Sequence, residues 1–191
     1  DRRLGLIGVT GTDGKTTTTR LIAWLLEACG LSTGELSTVG IRLGEREFLK
    51  RSRLTTPEAP QVAKLLHEMA ENGVAWAVVE VASHALELAR VDGFAFDRAV
   101  ITNVTHEHLD LHGSLENYRR AKRHLLELLD ATNPAPRGRV AILNADDPVV
   151  AGFAHGLASE VVTFGLSAAA DVRVRAGRSA DGRLTVSGRS P

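Results

Sequence analysis

The segment Gly8-Val9-Thr10-Gly11-Thr12-Asp13-Gly14-Lys15-Thr16-Thr17 carries the residue types of a phosphate-binding loop. Glycines let the backbone curl so that successive N–H groups point inward at phosphate oxygens. The Lys15 ammonium then reaches the β and γ phosphates, Thr16 can hold Mg2+, and the start of the following helix adds partial positive charge. The strict spacing asks for glycine at position 9, where Val9 stands, with Gly8 one residue early. Asp13 is an acid beside the phosphates, facing either solvent or a metal.

Three further features could do chemistry. Glu80 interrupts the apolar run Ala77-Val78-Val79-Glu80-Val81, where a carboxylate is costly unless it meets a cation, either Mg2+ or an arginine. In open parallel sheets ligands bind outside the carboxyl ends of the strands, the edge that also carries the glycine loop. The run His106-Glu107-His108-Leu109-Asp110-Leu111-His112 packs three histidines and two acids into seven residues. It reads either as a zinc cluster or as one Mg2+-linked histidine among structural and substrate-facing neighbours. Lys122 falls on the apolar stripe Tyr118, Ala121, Leu125, Leu128 and Leu129 of a helix, where lysine rarely sits without a partner. Two readings stay open: its stem snorkels to water, or desolvation favours a neutral amine able to add CO2 and become a metal-binding carbamate.

The surrounding pattern alternates short apolar runs with amphipathic stretches, which predicts an α/β fold, P-loop-containing, with a mostly parallel sheet and helices on both faces. Strands are expected at Leu4 to Thr10, Ala75 to Val81, Ala99 to Thr102, Val140 to Leu143 and Val161 to Phe164. Helices are expected at Lys15 to Cys29, Pro57 to Asn72 and Leu115 to Asp130, with another after Asp146. Thr56 is the expected N-cap of the second, Pro57 its first residue and Gly73 its end. Leu31 to Lys50 reads as strands and a hairpin. The main unit spans 1–165, and 166–191 forms a small β extension at the C-terminal tail of the same domain.

The 191 residues are 43% apolar and 24% charged, ordinary for a globular protein and too apolar for disorder. Lys plus Arg (23) balances Asp plus Glu (23), so neither nucleic acid nor a membrane surface is an expected partner. The single cysteine, Cys29, excludes an internal disulfide framework, fits a reducing compartment and is expected to pack in its helix. No apolar run reaches about 18 residues and no signal-peptide core begins the chain, so a cytoplasmic location is expected.

Several segments in fixed order resemble the central domain of Mur ligases, most closely the MurE type that adds the third residue of the peptidoglycan stem peptide. They are Gly11 to Thr17, Thr55-Thr56-Pro57-Glu58, Glu80-Val81-Ala82-Ser83-His84-Ala85-Leu86, Thr102 to Gly113, Tyr118 to Lys122, and Asn144-Ala145-Asp146-Asp147. The resemblance implies ATP-dependent amide-bond formation. A stem-peptide carboxylate takes the γ-phosphoryl group of ATP, and an amino acid then displaces phosphate from the acyl phosphate. It implies that Gly11, Thr12, Asp13, Gly14, Lys15, Thr16, Thr17 and Asn144 bind ATP, Asn144 at the adenine. It assigns Thr16 and Glu80 to a first Mg2+ ion, and His108 with carbamylated Lys122 to a second metal site. Lys15, His108 and Lys122 are the implied catalytic residues. Thr55, Thr56, Ser83 and Arg90 are the implied contacts of the UDP-MurNAc-peptide substrate.

The chain departs from the pattern at Asp13, where asparagine is frequent, at Ala82, where a second serine is frequent, and at His106-Glu107, which replaces an Arg-Asp pair. The UDP-binding and amino-acid-binding domains of a whole ligase are expected to be absent here, so the chain is expected to bind nucleotide at most and not to complete ligation. It is also expected to be a monomer. The alternatives are a folylpolyglutamate synthase-type ligase, a zinc metallohydrolase built on His106 to His112, and a non-catalytic nucleotide-binding module.

Overall fold

The computed structural model describes residues 4–43, 46–48, 54–105, 112–132, 136–178 and 184–189. The chain runs β1 (Gly5–Thr10), α1 (Lys15–Ala28), β2 (Thr33–Leu36), β3 (Ile41–Leu43), β4 (Arg46–Phe48), α2 (Ala59–Glu71), β5 (Trp76–Glu80), α3 (Ser83–Glu87) and β6 (Arg98–Ile101). It continues through α4 (Leu115–Ala131), β7 (Val140–Asn144), α5 (Pro148–Gly152), β8 (Glu160–Gly165), β9 (Val172–Arg178) and β10 (Leu184–Arg189). The strands form one sheet in the order β10-β9-β8-β7-β6-β1-β5-β2-β3-β4. From β2 to β9 neighbouring strands are parallel, and antiparallel hairpins close both edges.

Alternation along β1 divides the core. Leu6 faces a large cluster that holds α2 through Val62, Leu66 and Met69, α3 through Ala85 and Leu86, and α4 through Tyr118, Leu125, Leu126 and Leu129. Ile7 and Val9 face the other side, where Ile22, Ala23 and Leu26 of α1 pack with Val78 and Val100. A strand covered on both faces has no room for polar alternation, which is why β1 reads as a continuous apolar run. Val9 is fully buried within β1, so the loop starts later than the strict motif spacing asks.

Three expectations are corrected. Thr56 does not cap α2; Glu58 occupies that position, Pro60 lies in the first turn, and the Thr56 hydroxyl is committed to β5 instead. The tail does form a β extension, with β9 pairing in parallel with β8 and carrying the main sheet outward. On α4, Leu126 rather than Leu128 joins the buried stripe. Cys29 follows α1 and is exposed. The short helix α3 was not anticipated.

A polar bridge ties α4 to the segment before β6. Both nitrogens of His124 meet carboxylates, Nδ1 at Glu127 Oε2 (3.0 Å) and Nε2 at Asp92 Oδ2 (3.1 Å), a pattern that suits the imidazolium. Partial burial pulls its pKa down, but the two carboxylates outweigh that and raise it above the usual histidine value. A raised folded pKa gives stabilisation that is complete below the unfolded pKa, about 6.5, and is lost as pH climbs through the folded value. His124→Gln should therefore flatten the decline in urea midpoint between about pH 6 and pH 8. Parallel pH profiles for the two proteins would remove the bridge as the cause.

Candidate functional site

The site forms where β1 ends, with β5 and β6 as its hydrogen-bonded neighbours on either side. The backbone leaves β1 through Gly11 at φ 153°, a conformation that favours glycine; a Cβ there would come within 1.8 Å of Thr102 Oγ1. Gly14 follows at φ 77° and starts α1. The loop is tied to the end of β6: Thr12 N donates to Asn103 O (2.8 Å) and Asp13 N to Asn103 Oδ1 (2.8 Å). Thr102 Oγ1 and Asn103 Nδ2 donate in return to Asp13 O, at 2.7 and 3.2 Å. The Asp13 residue itself is exposed, as is Thr17.

Within this frame Lys15 folds back over its own loop, its Nζ donating to Thr12 O at 2.6 Å. Thr16 Oγ1 donates to Glu80 Oε1 at 2.9 Å, and Glu80 is 2% exposed. The second carboxylate oxygen, Oε2, accepts from Thr38 N at 2.7 Å. A hydroxyl and a carboxylate side by side at the start of α1 are the hard oxygen donors that Mg2+ takes, so this pair fits the ion. Among the described residues Glu80 thus meets a hydroxyl and a backbone N–H rather than an arginine.

Lys122 is 1% exposed. Its Nζ donates to Gly11 O at 2.6 Å and lies 4.4 Å from the centre of the Tyr118 ring. Snorkelling to water is excluded by that burial. Tyr118 is itself fully buried, and its hydroxyl meets Thr12 Oγ1 at 3.0 Å, which also accepts from Thr105 N. One helix therefore grips the glycine loop at two points.

The segment before α2 and the turn after β5 interlock. Thr56 Oγ1 donates to Glu80 O at 2.9 Å and accepts from Ala82 N at 3.0 Å. Arg90 reaches the same segment through Glu58 Oε1 (2.8 Å) and Thr56 O (3.4 Å), while its buried Nε meets no partner among the described residues. Thr55 is half-buried beside them. Ser83 Oγ lies 3.1 Å from His112 Nε2, and the His112 ring stands 5.2 Å from Tyr118. Asn144 spends its amide on the sheet edge, Nδ2 donating to Thr102 O and Oδ1 accepting from Asp146 N. Beside the loop, on the α1 face, a cavity of about 410 Å3 is lined by Asp13, Thr18, Asn103, Ile142 and Phe164 among others.

Lys15, Thr16, Glu80 and Lys122 are thus gathered around one loop. His108 and the rest of 106–111 lie outside the described residues, and so does the choice between a zinc cluster and a single Mg2+-linked histidine. Among the described residues no group of histidine, cysteine, aspartate and glutamate has metal-cluster geometry. Sequence reasoning missed Asn103, Thr38 and the grip of Tyr118 on Thr12. Asn103 had a usable signal, a polar residue directly after a buried strand; Thr38 acts through its backbone and had none.

A parallel sheet with a glycine loop at the end of its central strand, backed by a Thr–Glu pair, defines an α/β domain of the P-loop type. The Mur ligase middle domain matches residues 9–187, and the chain belongs to that family. It is 50% identical over 186 residues to a UDP-N-acetylmuramyl-tripeptide synthetase from Roseiflexus sp. (strain RS-1), covering 93% of this chain and 36% of that protein. A solved UDP-N-acetylmuramoyl-L-alanyl-D-glutamate–2,6-diaminopimelate ligase superposes with a TM-score of 0.81 at 31% identity, over 99% of this chain and 38% of the other. The chain spans about a third of the length of the curated relatives it matches. E. coli FolC in complex with DHPP and ADP shares the fold, with a TM-score of 0.67 at 18% identity over 96% of this chain and 46% of the other.

Proposed function

We propose that this chain is the ATP- and Mg2+-binding part of a cytoplasmic ligase that adds the third amino acid to UDP-MurNAc-dipeptide. The observation that carries the reading is the convergence of Lys15, the Thr16–Glu80 pair and buried Lys122 on the loop from Gly11 to Thr16. Phosphoryl transfer asks a protein mainly for positioning and for neutralisation of charge on the transferring group.

In this reading the loop N–H groups and the start of α1 cradle the phosphates. Lys15 exchanges the Thr12 carbonyl for phosphate oxygens and stabilises the γ-phosphoryl group as the peptide carboxylate attacks it. Thr16 and Glu80 would hold Mg2+, which would supply charge neutralisation for the phosphates. Asp13, Asn103 and the cavity beside them take the nucleoside end, with Asn144 shaping the edge next to the base. Thr55, Thr56, Ser83 and Arg90 face the UDP-MurNAc-peptide; the unsatisfied Arg90 Nε suits an anionic group of that substrate. Lys122 as a carbamate, with His108, serves a second metal. The enzyme works as a monomer.

The test is turnover by the full-length protein with ATP, Mg2+ and UDP-MurNAc-L-Ala-D-Glu, offered diaminopimelate and lysine in turn. The expected result is phosphate release coupled to a UDP-MurNAc-tripeptide seen by mass spectrometry. Turnover with a folate substrate in place of the muramoyl peptide would overturn the assignment.

A further inference from the structure

Glu80 is held from a side that the phosphate loop does not explain. Its Oε2 accepts from Thr38 N, in the turn between β2 and β3. That turn is closed by Ser37 N donating to Gly40 O at 3.0 Å. The fully buried Ser37 side chain adds a further restraint, its Oγ donating at 2.7 Å to Oε1 of Glu35, a carboxylate only 2% exposed. Arg20 Nε stands 3.4 Å from Glu35 Oε1, and Arg42 Nε 4.0 Å from Oε2. Arg20 and Thr16 lie one helical turn apart on α1, so they share a side of that helix.

The contacts close a ring: Thr16 to Glu80, Glu80 to Thr38, Thr38 through Ser37 to Glu35, and Glu35 through Arg20 back to α1. We propose that Glu35 and Ser37 are positioning residues for the metal site, aiming the Thr38 N–H so that the Glu80 carboxylate is fixed in orientation. This rests on the reading of Thr16 and Glu80 as the Mg2+ residues. A carboxylate with one oxygen pinned by a fixed donor presents the other in a single direction. Partners of this kind outside the ligand set govern how tightly a site holds its metal. A purely structural role would need no aligned donor at Glu80, and Glu35 would be satisfied by its arginines.

The experiment titrates Mg2+ into the full-length protein with a fluorescent ATP analogue and reads the midpoint of metal-dependent nucleotide binding. Ser37→Ala should raise that midpoint about 10-fold while binding in excess EDTA stays as in the wild type. Ser37→Thr, which keeps the hydroxyl, should restore it. An unchanged midpoint in Ser37→Ala alongside a lowered melting temperature would overturn the inference and leave the network structural. Glu80→Gln separates the two claims. If it abolishes the Mg2+ dependence and Ser37→Ala does not shift it, positioning alone fails. If Glu80→Gln leaves the dependence intact, the metal reading fails together with the positioning built on it.

Discussion

Lys15→Ala in the full-length protein should weaken Mg-ATP binding by about 100-fold and leave the fold intact. The side chain sits on its own loop, where Nζ bonds Thr12 O, a part-buried contact within four residues of sequence. Losing it costs the fold about 1 kcal/mol at most, because water replaces the donor. Losing it from bound ATP is different. A charge-assisted hydrogen bond to a phosphate contributes about 1.5–3 kcal/mol, and removing a donor aimed at developing charge costs a further factor of about 100 to 1,000 in kcat. Calorimetry with Mg-ATP reads the first effect and phosphate release the second. Wild-type affinity in the variant, with an unchanged melting temperature, would mean that the loop binds something other than a nucleotide phosphate.

Lys122→Ala should abolish ligation, and short carboxylic acids should restore part of it. The residue is enclosed by the Gly11 carbonyl and the Tyr118 ring, so truncation leaves a polar hole beside the loop. Adding CO2 to the neutral amine forms a C–N bond, releases a proton and leaves one N–H. The bond to Gly11 O can therefore survive while the carboxylate turns to a metal. A free acid that occupies the hole supplies the same charge. Since truncation also removes packing, Lys122→Met, which keeps the stem, is the necessary companion; it should fold like the wild type and remain inactive, with acid rescuing Lys122→Ala alone. Full activity of Lys122→Met without acid would end the carbamate. A buried ammonium that merely braced the loop would lower the melting temperature in both variants and show no rescue.

These expectations rest on residues that broke local rules. Lys122 broke the apolar stripe of α4, Glu80 broke the apolar run of β5, and the glycines after β1 broke a strand-to-helix junction. Each violation is visible in a window of a few residues, because helix and strand periodicities are local. Thr56 shows the limit. Followed by proline, it had the local marks of a helix cap, yet its hydroxyl lies against Glu80 O and Ala82 N, and no window around Thr56 contains either partner. The helix α3 has only five residues and was equally invisible to periodicity.

The chain's local chemistry thus settled the class of fold, the glycine loop, the buried acid and the buried lysine, all of which follow from residue type and spacing. The order of strands was decided only in three dimensions. It sets β5 and β6 on either side of β1 and brings Lys122 onto Gly11 across 111 positions of sequence. The same order lets Asn103 clasp the loop and aims a backbone N–H from the β2–β3 turn at Glu80. Those contacts depend on which strand ends become neighbours. That is a property of the whole sheet and its packed helices, and no local pattern encodes it.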